Sequence, residues 1–179
     1  MSIATDLVIR QEQRVDGAAI TSLLEACFPS AAEAQLVEAL RQAGHLPISL
    51  VAERDGQLVG HLAFSPVDIE RASAGIPGES GPGLGLAPLA VPTEHRRQGI
   101  ATRLVEAGLE QARRLGYRWV VVLGEPDYYG RFGFQAASAF GLRDAYGGGD
   151  AFQVIALQPG GIPQGSGLVS FGPEFALVG

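Results

Sequence analysis

Lysine is absent: all thirteen basic residues of this 179-residue chain are arginine. That excludes a Schiff-base lysine and the lysine of a P-loop. Cysteine occurs once, as Cys27, so no internal disulfide and no Cys-x-x-Cys metal pair can form, and no metal site is expected. Set in Leu23-Leu24-Glu25-Ala26-Cys27-Phe28, it reads as a small core residue rather than a nucleophile. No apolar run is long enough for a membrane span. Asp6, Arg10, Glu12 and Arg14 leave no apolar stretch for a secretory signal, so a cytoplasmic location without a membrane partner is expected. Charge is sparse (18% of residues) and not clustered in runs. A net charge of −6 and a pI near 5.0 argue against nucleic acid as a partner and are compatible with a cationic substrate. The hydrophobic share, 46%, is enough for one folded domain with a sizeable core.

Hydrophobic spacing divides the chain into elements. Leu7 to Arg10 predicts a short strand. Asp16 can cap a helix running to Ala26, with Ile20, Leu23, Leu24 and Cys27 on one face. Ser30 can cap a second helix over Ala31 to Ala43, with Leu36, Val37 and Leu40 inside, Glu33, Glu38 and Arg41 outside, and Gly44 as its stop. Two apolar runs, Ser49 to Glu53 and Leu58 to Val67, flank Asp55-Gly56 and predict a hairpin. Ala72 to Gly85, rich in Gly, Ser and Pro, reads as a loop. Leu86 to Val91 reads as a strand, and Pro88 within it requires a bulge or a broken ladder. Gln98 to Leu115 is the clearest helix, with Ile100, Leu104, Val105, Gly108, Leu109 and Ala112 in one stripe. Trp119 to Leu123, five apolar residues in a row, predicts a strand covered on both faces, so Leu86 to Leu123 forms a parallel crossover unit. Phe152 to Leu157 and Leu168 to Phe171 predict further strands.

The stretch Pro88 to Leu104 carries the chemistry. An apolar strand ends, a polar turn follows, and a helix opens at Arg96-Arg97-Gln98-Gly99-Ile100-Ala101. A helix N-terminus offers unpaired N–H groups and partial positive charge, which together bind anions. Gly99 lets a phosphate approach the backbone, although glycine in a first turn costs about 1 kcal/mol against alanine. A helix that merely starts at this point is the competing reading. The dinucleotide pattern Gly-x-Gly-x-x-Gly is absent.

Arg96-x-x-Gly99-x-Ala101 after an apolar strand resembles the acetyl-CoA motif of GNAT acetyltransferases, Arg/Gln-x-x-Gly-x-Gly/Ala. Tyr129 to Phe134 resembles the family's Tyr-x-x-x-Gly-Phe element. The phrase Leu-Gly-x-Pro-x-Tyr-Tyr-x-Arg-Phe-Gly-Phe, with Leu157-Gln158-Pro159-Gly160-Gly161, is similar to a bacterial subgroup known as YhbS-like. The resemblance is strong over Leu86 to Phe134 and extends elsewhere in element order. It implies an α/β (α+β) fold: a mixed, mostly antiparallel central sheet flanked by helices and splayed at the acetyl-CoA site. It implies a single domain over 1–179, with a core over 5–158 and a C-terminal extension over 159–179. Leu89, Ala90 and Val91 would meet the pantetheine arm. Arg96, Arg97, Gln98, Gly99, Ile100, Ala101 and Thr102 would surround the pyrophosphate. Tyr129 would stand near the thioester sulfur as proton donor. Acetyl-CoA is the implied co-substrate, an amine the implied acceptor, and a homodimer is common in the family.

Two questions stay open at this level. Many members place a carboxylate or an asparagine on or just after the strand matching Trp119 to Leu123, and that strand is wholly apolar here. Glu125, Asp127, Glu53 and His61 are candidates for the base, each equally readable as a surface or packing residue, and a water chain is another. The cluster Tyr128-Tyr129-x-x-Phe132-x-Phe134 could also serve packing alone. An N-acetyltransferase acting in a ternary complex is the leading reading. A binding module that holds acyl-CoA without transfer, or a transferase with another acyl group or acceptor, is the alternative.

Overall fold

The computed structural model describes residues 6–71 and 81–178. Its elements in chain order are β1 (Val8–Gln11), α1 (Gly17–Cys27), α2 (Ala32–Ala43), β2 (Ile48–Arg54), β3 (Gln57–Arg71), β4 (Gly83–Ala90), α3 (Ile100–Arg114), β5 (Trp119–Leu123), α4 (Pro126–Tyr129), β6 (Gln135–Ala136), β7 (Leu142–Asp144), β8 (Phe152–Ala156) and β9 (Gly167–Phe171). The strands form one sheet in the order β1-β2-β3-β4-β5-β8-β6, with β9 on the far half of β3 and β7 beside β9. Among the described residues only the β4–β5 and β7–β9 pairs are parallel. This is the mixed, mostly antiparallel GNAT sheet that the resemblance implied.

Alternation along β2 assigns the two faces. Ile48, Leu50 and Ala52 point to the side where α3 lays down Ile100, Leu104, Val105 and Leu109. Val51 points to the other side, against Ile20 and Leu24 of α1 and Val37 of α2. The hairpin turn forms at Asp55 (φ 54°) and Gly56 (φ 74°), both left-handed as the tightest hairpins require. Gly44 closes α2 at φ 74°.

Several expectations shift. The Asp16 side chain does not cap α1. It accepts two bonds from the Arg10 guanidinium, at 2.7 and 3.0 Å, and one from the Gln13 N–H, because the buried ion pair with β1 takes up its oxygens. The helix expected from Gln98 begins at Ile100, since left-handed backbone at Arg97 and Gly99 breaks it. Within the expected 72–85 loop, residues 72–80 lie outside the described residues, and Gly83 to Gly85 already belong to β4. Those glycines are packing positions: a Cβ at Gly83 would stand 2.2 Å from the Trp119 ring, and one at Gly85 2.3 Å from the Phe171 ring. The segment expected as an extension over 159–179 supplies β9 to the sheet, and Phe175 packs on Leu36 and Leu40 of α2.

Gly108 lets α3 settle on the sheet, since a Cβ there would come 2.3 Å from Phe64 Cε2, a buried ring. Glycine to alanine inside a helix normally stabilises by about 1 kcal/mol, but overpacking costs about 1–3 kcal/mol. Gly108→Ala should therefore lower the unfolding free energy by about 1–2 kcal/mol, measured by urea denaturation; a gain in stability would contradict this packing.

Candidate active site

β4 and β5 pair only at Gly83–Trp119, Leu84–Val120 and Gly85–Val121. Beyond those rungs β4 bulges against β3 between Leu89 and Leu86, around the cis Ala87–Pro88 peptide, as the proline demanded. From Leu86 to Ala90, β4 keeps β3 on one side only, while Val122 and Leu123 turn to β8. One edge of β4 therefore presents unpaired backbone groups to a cleft.

Three adjoining cavities follow that edge. The first, 410 Å³, is walled by Val91, His95, Arg96, Arg97, Gly99, Ile100, Ala101, Thr102, Tyr128 and Arg131. The second, 240 Å³, shares Val91, Arg96 and Ala101 with it and adds Cys27, Phe28, Leu89 and Ala90. The third, 550 Å³, shares Phe28 and Leu89 with the second and reaches Tyr129 and Leu123 on the β5 side. They form a continuous groove from the start of α3 to the apolar space between α2 and α4.

The first cavity gathers backbone donors and guanidinium groups, features suited to an anion. Arg97 (φ 62°) and Gly99 (φ 80°) are both left-handed, the kind of turn that gathers backbone N–H groups into a concavity. No side chain caps α3, and its first intrahelical bond is Arg103 N–H to Gly99 O, so the N–H groups of Ile100, Ala101 and Thr102 face the cavity without an intrahelical acceptor. Arg96, Arg97 and Arg131 line the cavity, and among the described residues no carboxylate does. The Arg96 Nε donates to Val91 O at 3.1 Å, tying the turn to the end of β4. Of the ten residues expected around the cofactor, only Gln98 lines none of the three cavities. It is exposed, and its Oε1 accepts from Arg54 at 2.6 Å, so it braces the turn from outside.

Tyr129 ends the single turn of α4, which starts on Pro126. Its ring packs edge-on to Phe134 at 5.7 Å and so close to Gly124 that a Cβ there would stand 2.4 Å from it. Burial, with a smaller effect from Tyr128, pushes its phenol up to about 12. Tyr128 is edge-on to Tyr129 at 5.0 Å, with the Arg131 guanidinium 5.2 Å from its ring centre. The aromatic cluster thus both packs and walls the groove, Tyr129 at the large cavity and Tyr128 at the anion cavity.

The base candidates fall away from the groove. Glu53 pairs with Arg10 at 2.7 Å. His61 is fully buried, its Nε2 bonded to Ser49 Oγ at 2.9 Å, and desolvation drives it down to about 3. Glu125 and Asp127 are exposed, and none of the four lines a cavity of the groove. Four further groups do, beyond those read from the sequence. Cys27 is half-buried on the wall of the middle cavity rather than in the core, and His95 lines the anion cavity. Arg131 also lines the anion cavity. Glu33, read as an outward residue, lines the large cavity. Its position was visible in the spacing, since Glu33, Leu36, Val37 and Leu40 follow i, i+3, i+4, i+7. Among the described residues no trio of His, Cys, Asp and Glu is placed to hold a metal, and no helix is long and apolar enough to cross a membrane.

A sheet parted at its β4–β5 parallel pair, beside an uncapped helix that opens on a left-handed turn, defines an acyl-CoA-dependent transferase architecture. The chain belongs to the GNAT acetyltransferase family: residues 8–137 match the family described as acetyltransferase (GNAT) domain. It is 42% identical over 171 residues to the uncharacterized N-acetyltransferase YhbS of Escherichia coli K12, spanning 94% of this chain and 98% of that protein. The crystal structure of E. coli YhbS in complex with CoA superposes with a TM-score of 0.86 at 39% identity, covering 98% of this chain and 95% of that one. A GNAT family acetyltransferase from Brucella melitensis in complex with acetyl-CoA gives 0.75 at 38% identity, over 96% and 99%.

Buried neutral His61 makes stability depend on pH with a definite sign. Its folded value, about 3, lies below the ordinary 6.5, so the unfolded chain takes up the proton first. Stability should fall as pH drops from about 6.5 towards 3, by up to about 1.4 kcal/mol per unit from this residue. Urea midpoints across that range should fall less steeply for His61→Gln; parallel profiles would show that His61 carries no such linkage.

Proposed function

We propose that the groove holds acetyl-CoA along the free edge of β4, and that the protein transfers the acetyl group to a primary amine by direct attack in a ternary complex. The parting of β4 from β5 beside the uncapped start of α3 carries this reading. The N–H groups of the Gly99 turn, with Arg96, Arg97 and Arg131, fit a pyrophosphate. Leu89 to Val91 on the free edge fit an amide-bearing arm that pairs like a strand. The complexes of E. coli YhbS with CoA and of the B. melitensis protein with acetyl-CoA support acetyl-CoA as the ligand.

Bound acetyl-CoA supplies the acyl group as a thioester. The amine forms the new C–N bond at the acyl carbon as the C–S bond breaks, the sulfur leaves as thiolate, and the proton the new amide nitrogen loses passes to solvent, from which the thiolate is protonated. Tyr129 lines the cavity at the end of the groove and donates towards that sulfur. At about 12, its phenol lies roughly 3.5 units above a thiol near 8.5. Full proton transfer to the departing thiolate is uphill by about 4.8 kcal/mol, so Tyr129 acts by hydrogen bonding to developing negative charge. The amine must first lose its own proton, which near neutral pH costs roughly 4.6 kcal/mol for an alkyl amine. The apolar part of the large cavity's wall lowers that cost, because desolvation disfavours the ammonium form, while the carboxylate on the same wall, Glu33, works the other way.

Incubating the protein with acetyl-CoA and a broad amine library should yield an acetylated amine by mass spectrometry. Intact acetyl-CoA with every amine, alongside saturable binding, would favour an acyl-CoA-binding module. Tyr129→Phe should lower kcat by about ten- to a hundredfold with acetyl-CoA affinity nearly unchanged. The wild-type rate should show no alkaline loss from Tyr129 below about pH 11. Equal turnover in the variant would remove Tyr129 from the mechanism.

A further inference from the structure

We infer that Glu33 selects the acceptor, and that the acceptor is a small cation with an apolar or aromatic body. The inference rests on the acetyl-transfer reading and names the substrate class of that same groove. Glu33 sits in the first turn of α2 and lines the 550 Å³ cavity that Tyr129 also lines. The rest of that wall is mainly apolar: Phe28, Leu36, Leu86, Phe171 and Phe175 contribute to it. Among the described residues Glu33 is its one carboxylate, and no arginine or histidine shares the lining. Glu174, beside Phe175, is not part of that lining and is paired with His45 at 2.7 Å. Glu33 Oε2 is buried, and among the described residues no donor reaches it. A buried carboxylate oxygen needs a donor, and a positively charged one satisfies it best.

The same wall excludes the neighbouring classes. An acceptor carrying its own carboxylate, such as a free amino acid, would bring a second negative charge into a space where no described residue offers a cation to meet it. A strongly hydrophilic acceptor would leave polar groups facing Phe171 and Phe175 unpaired. An arylalkyl ammonium meets both demands, with its ring on the aromatic wall and its charge at Glu33. The acidic balance of the chain, −6, favours the approach of such a cation.

The test is calorimetric titration of the CoA-saturated protein with three probes: 2-phenylethylamine, 2-phenylethanol and phenylalanine. The amine should bind at least tenfold more tightly than the alcohol or the amino acid. Glu33→Gln should remove that advantage, weakening the amine about tenfold while the affinities for 2-phenylethanol and CoA and the Tm stay as in the wild type. Amine binding undiminished in Glu33→Gln, phenylalanine bound as tightly as the amine, or no amine binding to a protein that does bind CoA would each overturn the inference. Failure of CoA itself to bind would defeat the acetyl-transfer reading, and this inference with it.

Discussion

Three rungs hold β4 to β5, and the rest of the site depends on where they stop. Up to Gly85 and Val121 the two strands share a ladder whose glycines admit the Trp119 and Phe171 rings. Past that point the bulge at Ala87-Pro88 carries β4 away while β5 stays with β8. Sheet edges carry rows of unpaired donors and acceptors and are usually covered. Here a sheet interior contains such an edge, walled by α1 and α2 on one side and the α4 turn on the other. Every cavity of the groove borders Leu89, Val91 or both.

The anion end adds strain to that opening. Left-handed backbone at Arg97, a residue with a Cβ, costs of order 1–3 kcal/mol and persists only where its surroundings over-determine it. Those surroundings are visible. Arg96 is tied to the Val91 carbonyl, Arg54 holds Gln98, and Ile100 anchors the next residue in the core at 1% exposure. The same constraints leave the first N–H groups of α3 without an internal acceptor. Core packing thus offsets the cost of a turn whose first helical donors lack an internal acceptor.

Much of this was legible in the sequence. Asp55-Gly56, the α3 stripe and the apolar run Trp119 to Leu123 each specify one local structure, and each appears where its pattern places it. Pro88 in a strand signalled the break that shapes the cleft. What was not legible depends on tertiary contact. Gly83 and Gly85 look like loop residues until the rings above them are known. Asp16 looks like a cap until Arg10 arrives from another element. The strand over Leu168 to Phe171 was readable and forms as β9, but its place beside β3 was not, because only tertiary pairing sets it. Glu33 was misread for another reason: its charge outweighed its spacing, although i, i+3, i+4, i+7 placed it on the buried face of α2.

The central claim is that phosphates sit at the Gly99 turn, and titration of the purified protein with acetyl-CoA tests it, beside a Gly99→Glu variant. Nothing lies within 4 Å of a Cβ at Gly99, so the substitution meets no core atom, yet it places bulk, negative charge and a strained φ at the turn. The account predicts binding in the micromolar range for the wild type and loss of that binding in a variant that still unfolds cooperatively. Equal binding by the two proteins, or none by the wild type at millimolar ligand, would contradict it.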